Sequence, residues 1–266
     1  MKTRWLVLSC VLVFVYTAIT RAPLGVIYGY FKPASGAAFD LIGLEGNLQQ
    51  GGAAGVIVGN QTALRDLRWT MLPLQLLIGR AAFDLSASGD GLLLAGRVAQ
   101  SISGQTHIHD LTASGSIKPL LAAFKLFVPV DGTLSLDLQQ MSLAQGLPTT
   151  AEGRVDLKGL QWKLARDPMP LGDFSAVVAP TDQALTATIS ADRGPLDASG
   201  DARLLPDRRY ELHLQIKAKA DAPPPLVNML ANLGAPDNQG YYHIRRSGQL
   251  AAPAAPAAAV TDGASP

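Results

Sequence analysis

The apolar residues of this chain come in short alternating runs, each broken within a few residues by Gly, Pro, Asp or Asn. This pattern most constrains the fold, because period-two alternation puts one greasy and one wet face on an extended strand. In "RRYELHLQIK", Tyr210, Leu212, Leu214 and Ile216 alternate with Arg209, Glu211, His213 and Gln215. Such a run suits an antiparallel sheet packed on one side. Equivalent runs predict strands at Phe39–Leu44, Ala54–Val58, Leu64–Trp69, Arg80–Ser86, Leu92–Ala99, Thr106–Leu111 and Thr133–Leu138. Further strands are predicted at Thr150–Leu157, Gly172–Val178, Leu185–Ser190, Leu196–Leu204, Arg209–Ile216 and Tyr241–Arg246. With 26 Gly and 18 Pro, the chain has material for a turn between each pair.

Two segments leave this rhythm. Pro119–Phe127, "PLLAAFKLF", has no β-branched residue and opens with Pro at a plausible first helical position. Pro225–Leu233, "PLVNMLANL", opens the same way and runs into Gly234, a natural helix terminator. Both are predicted as short helices. The apolar stretch "LRWTMLPLQLLIGRAAFDL" at 67–85 reads instead as strand, turn and strand, since Pro73 and Arg80 sit badly in lipid.

The chain also echoes itself. "LRDLRW" at 64–69 returns as "LKGLQW" at 157–162, and each Trp is followed by Pro, Leu and Gly. Pro119 and Pro225 then each lead to a turn and an alternating strand, "VDGTLSLDL" and "DNQGYYHIR". The two spacings differ by no more than a loop absorbs. An internal duplication follows as an expectation, with halves at 40–138 and 139–250. The fold expected is mainly β: an antiparallel meander with two short helices, preceded by one N-terminal transmembrane helix.

That helix is read from "MKTRWLVLSCVLVFVYTAITRAPLG". Lys2 and Arg4 precede an uncharged run from Trp5 to Thr20, and Arg21 follows. About sixteen residues at ~1.5 Å each give about 24 Å of helix, short of a ~30 Å hydrocarbon core. Snorkelling Arg21 and interfacial Trp5 and Tyr16 extend the reach. Ala18-Ile19-Thr20 is a poor small-residue cleavage site, and Cys10 has almost no apolar run before it. An uncleaved anchor is therefore expected over 5–22, with 1–4 cytoplasmic and a periplasmic β-rich domain over 32–250. The Ala/Pro run from 251 to 266 has no alternation to bury and is expected to be a disordered tail.

Composition narrows the chemistry. A formal net charge of +1, from 22 Lys and Arg against 21 Asp and Glu, disfavours a nucleic-acid partner. The charged fraction of 16% is below the roughly 25% of soluble domains, so the chain must either bury much of itself or keep company with a membrane or a partner. Cys10 is the single cysteine, so no intrachain disulfide forms. His107 and His109 share one face of a predicted strand beside Asp110, but no third metal ligand stands at useful spacing. Asp110 points away from His109's face, which weakens a Ser/His/Asp set using Ser114. "GGAAG" at 51–55 and "GDGLLLAG" at 89–96 lack the following helix of a phosphate loop and read as turn glycines. Trp69 and Trp162 read as duplicated core anchors. No G-x-S-x-G, H-E-x-x-H or C-x-x-C occurs. The sequence assigns no catalytic, cofactor-binding or metal-binding residue, and no cofactor.

Several blocks together resemble the type II secretion system protein N family. They are the basic-flanked anchor, "LEGNLQQGGAAGV" (44–56), "LRWTMLPLQLLIGR" (67–80), "VDGTLSLDL" (130–138), "AEGRVDLKGLQW" (151–162) and "LVNMLANLGAPDNQGYYHIRRSGQL" (226–250). The element from Leu233 to Gly240 and the Trp-to-Gly-Arg block are the more specific parts. The chain departs in its first glycine block, where Gln49 and Gln50 stand in place of an aromatic. The resemblance implies a non-enzymatic, single-pass inner-membrane protein with a periplasmic domain, assisting export of folded proteins across the outer membrane. Its partners would be other envelope components of that system. The alternative reading is a periplasmic lipid-handling protein whose low-charge sheet forms a groove with lipid as partner.

Overall fold

A computed structural model describes residues 39–250, apart from short breaks at 59–60, 77, 90, 119–120, 122–127, 145–146, 164–166 and 182–183. The described residues form one thirteen-stranded antiparallel sheet whose spatial order is its sequence order. Its first strands are β1 (Phe39–Gly46), β2 (Gln50–Val58), β3 (Gln61–Met71), β4 (Arg80–Gly89), β5 (Leu92–Ser101) and β6 (Thr106–Ser116). It continues with β7 (Val130–Ala144), β8 (Leu147–Trp162), β9 (Met169–Pro180) and β10 (Leu185–Arg193). β11 (Leu196–Leu204), β12 (Arg209–Ala218) and β13 (Tyr242–Gln249) complete it. Each run predicted as a strand forms one, to within a residue at Tyr241, and most extend beyond the predicted limits.

Short turns return most strands beside their predecessors, while longer connections join β3 to β4, β6 to β7 and β12 to β13. Between β1 and β2, Asn47 Oδ1 accepts from the amides of Gln49 and Gln50 at 2.9 and 2.8 Å. This Asx turn is where Gln49 and Gln50 are used. Between β11 and β12, Asp207 accepts from the Arg209 amide at 3.1 Å while Arg208 adopts a φ of 69°.

Two short helices interrupt the meander. α1 (Pro73–Leu76) is one turn between β3 and β4, where the sequence predicts only a turn. Pro73 supplies the helical start, and Gly79, at φ 72°, turns the chain into β4. α2 (Pro224–Ala231) is the predicted second helix, displaced slightly toward the N-terminus. It ends at Ala231, with Asn232 as its C-cap, rather than at Leu233, because 3₁₀-like bonds such as Leu233 N to Leu230 O (2.9 Å) close its last turn. Leu226 and Leu230, four residues apart on one face, are fully or almost fully buried. They pack with Leu171 and Leu196, and Trp162, Phe174, Ile216 and Tyr242 close around this cluster.

Some expectations fall elsewhere. The glycine block at 51–55 is not a turn: it runs inside β2, paired with β1 and β3. Pro119–Phe127 lies outside the described residues except for Leu121, as do the anchor at 5–22 and the tail at 251–266. Among the described residues, no helix is long and apolar enough to cross a membrane. Residues 138 and 139, where the two expected halves would meet, both lie inside β7.

Candidate functional site

Directly paired residues of an antiparallel sheet share a face, so the register defines two surfaces. From β4 to β8 one transverse row runs Ala87, Leu94, Ala113, Leu136 and Val155. From β9 to β13 it continues Ala176, Ile189, Gly200, Leu214 and Ile244. The neighbouring row on the opposite face begins Ser88, Leu93, Ser114, Ser135 and Asp156. It continues Ser175, Ser190, Ser199, Gln215 and His243. One face is thus apolar across ten strands, while the other is mostly hydroxyl, amide and charge.

The polar face ties itself together across strands. Ser175 is buried, and its hydroxyl bonds to Ser190 Oγ at 3.1 Å and to Asp192 Oδ1 at 3.0 Å. Gln215 Nε2 donates to Ser199 Oγ at 2.7 Å, and Arg97 Nε to Asp84 Oδ1 at 2.8 Å. Leu93 and Val177, with Ile42 farther along in β1, are large apolar side chains that this face exposes.

The predicted histidine pair lies on the polar face. The His107 and His109 rings stack with centroids 6.5 Å apart, and His107 Nδ1 is 3.0 Å from Ser142 Oγ. Asp110 has a φ of 51° and occupies an irregularity between β5 and β6. This bulge resets the alternation, so Thr112 and Ser114 return to the face of His109. Ser114 nevertheless sits farther along β6, opposite Leu93 and Ser135, and does not join His109 and Asp110. A shallow 270 Å³ cavity takes His109 and Asp110 with Arg80 and Arg97. Among the described residues, no group of three or more His, Cys, Asp or Glu is placed to hold a metal ion. Trp162 closes the cluster beneath α2, whereas Trp69 lies between Gly51 and Leu85 in the sheet.

The Leu233–Gly240 element builds a clasp between α2 and β13. Asp237 Oδ1 accepts from the amides of Gln239 and Tyr241 at 2.8 and 2.9 Å, and its Oδ2 lies 2.8 Å from His243 Nε2. The His243 bond first, then that from the Tyr241 amide, holds this carboxyl down at about 2. Lys217 donates to Gln239 O at 2.7 Å and lies 5.3 Å from the centre of the Tyr241 ring. Tyr241 Oη donates to Asp197 at 2.7 Å, which raises the phenol's pKa. A second carboxyl, Asp131, stands as far after Pro119 as Asp237 after Pro225. It takes bonds from Lys163 (2.5 Å) and Lys118 (3.1 Å), which lower it to about 2. Among the described residues these carboxylates are engaged by neighbouring side chains and turn amides, and the sequence marks Asp131 and Asp237 only as turn residues.

Residues 37–245 match the family described as type II secretion system (T2SS), protein N. The chain belongs to that family. The match spans almost the whole sheet, from just before β1 into β13. A type II secretion system protein N from Vibrio cholerae serotype O1 is 28% identical over 221 residues, covering 79% of this chain and 85% of the relative. Another from Aeromonas hydrophila is 27% identical over 217 residues, covering 79% and 84%. No solved structure matches the chain. Family membership makes the protein a type II secretion component associated with the cell envelope.

Proposed function

We propose that the protein is a non-enzymatic, inner-membrane-anchored periplasmic component of the type II secretion system, assisting export of folded proteins across the outer membrane. The observation that carries this reading is the family match across residues 37–245, which takes in nearly the entire sheet. The uncharged run from Trp5 to Thr20, with Lys2 and Arg4 before it, supports anchoring with the sheet outside the cytoplasm. Exposed strand edges and faces, rather than an enclosed pocket, are the surfaces such a component offers to partners. At one side of the sheet β13 brings Arg245 and Arg246, and no described strand pairs beyond it. A strand added there would gain main-chain bonds, with acidic side chains favoured by the two arginines.

The test is an in-frame deletion in the host, complemented by the full chain. Extracellular levels of the secreted enzymes are expected to fall and to recover on complementation. Affinity capture of the tagged chain from solubilised inner membrane is expected to bring other secretion components with it. Unchanged secretion together with capture of no such component removes the reading.

A further inference from the structure

The apolar face of the sheet is assigned no particular occupant above, although its row crosses ten of the thirteen described strands. The row from Ala87 to Ile244 contains no charged, polar or aromatic side chain. Strands lie ~4.8 Å apart, so ten of them carry the row for roughly 43 Å. Leu136, Val155, Ile189 and Leu214 along it stay partly accessible to solvent, and the cluster under α2 uses none of them.

We propose that this face is a path for the acyl chains of phospholipid. Three features select that occupant over a protein. The first is relief. Leu214 lays its Cδ1 3.0 Å from the space a Cβ on Gly200 would fill, and Leu138 lays its Cδ2 2.7 Å from that space on Gly153. Each leucine thus occupies the room that a side chain on the facing strand would take, which lowers the relief of the row at Gly200 and of the flanking row at Gly153. A docking helix needs the opposite, since it seats ridges in grooves, whereas a flexible hydrocarbon chain conforms to a smooth surface. The second is composition. Protein interfaces concentrate their energy in Trp, Tyr and Arg; the row has none of them, and Trp69, Tyr210, Tyr242 and Arg246 stand only on flanking rows of the same face. The third is length and charge. A leaflet's acyl chain spans about half of a ~30 Å hydrocarbon core, so the row exceeds one chain from end to end. The parallel row through Leu138, Gly153 and Leu212 ends at Arg246 in β13. A cation at that margin can meet an anionic headgroup without interrupting the path.

The inference goes beyond the secretion role, and its test is read from the protein alone, whatever secretion does. The unsubstituted full chain is reconstituted in vesicles of phosphatidylethanolamine and phosphatidylglycerol that carry a photoreactive diazirine on one acyl chain. After illumination, labelled residues are mapped by peptide mass spectrometry. Label at Leu136, Val155, Ile189 and Leu214 is expected to exceed label at Ser135, Asp156, Ser190 and Gln215 by at least about fivefold. Register makes the comparison strict, because each polar control neighbours its apolar partner on the same strand. Equal labelling of both faces, or no label on the apolar face, overturns the proposal. So does protection of that face by another protein or by a segment of this chain, seen as a protein crosslink there in cells.

Discussion

At the residue scale, the sheet is held in register by positions whose importance alternation does not reveal. Gly115 has a φ of 141°, and a Cβ there would lie 1.8 Å from Gly91 O and 2.7 Å from Leu92 Cα. Gly115→Ala must push β5 and β6 apart, so a loss of roughly 2–4 kcal/mol is expected from strain and overpacking together. A shifted urea midpoint at unchanged slope checks it, and a wild-type midpoint refutes it. Asp131 carries a pH-dependent prediction. Its folded pKa of about 2 lies below the ordinary Asp value of about 3.9, so its stabilising effect is full above that value. It is lost as pH falls through the folded pKa. The melting-temperature gap between wild type and Asp131→Asn is therefore expected to be widest near neutrality and to close between about pH 4 and pH 2. A gap that persists below pH 2 means Lys163 and Lys118 are not the cause. In the sequence Asp131 is only the Asp of an Asp-Gly turn. Its two lysines come from the connections that follow β8 and β6, a convergence that needs the fold.

At the scale of elements, α2 seals one end of the apolar face through Leu226 and Leu230. Leu226 has no exposed surface, and the strand side chains around it cannot close the space it would leave. Leu226→Ala is expected to cost about 2–5 kcal/mol, whereas Val227→Ala, on the exposed side, should cost well under 1 kcal/mol. Equal losses at the two positions, measured by denaturant unfolding, refute the packing described. The strands were legible because alternation and turn residues agree at each of them, and α2 because Pro and apolar spacing agree. α1 escaped because one helical turn has too few residues to show a period. "GGAAG" looks like a turn in the sequence yet lies in β2, because glycine marks turns and close strand approaches alike; only pairing with β1 and β3 separates the two. The bulge at Asp110 shows the limit of counting alternate residues. A single residue at φ 51° reverses parity, so His109 and Ser114 share a face that spacing alone would split.

At the scale of the molecule, neither the polar nor the apolar row is visible in the linear chain. Alternation says which residues of one strand share a face. It does not say that Leu136 meets Val155 rather than a residue two places on, because register depends on bulges and turn lengths. Once register is set, the strict sequence order of the sheet has a mechanical consequence. Each strand depends mainly on its two neighbours, so stability should behave almost one-dimensionally, as in repeat proteins. β7 and β8, with 15 and 16 residues, are the longest strands and share the most extensive register. β13, with 8 residues, has one paired side among the described residues. Native-state hydrogen exchange should therefore be slowest in β7 and β8 and become progressively faster from β11 to β13. Residues 212–216 of β12 should fall between, because the α2 cluster protects the stretch around Ile216. Loosening α2 with Leu226→Ala should speed exchange in β11–β13 while leaving β7 and β8 near their wild-type rates. Uniform exchange across all thirteen strands, or equal acceleration everywhere in the variant, would instead mean that the sheet opens as one cooperative body.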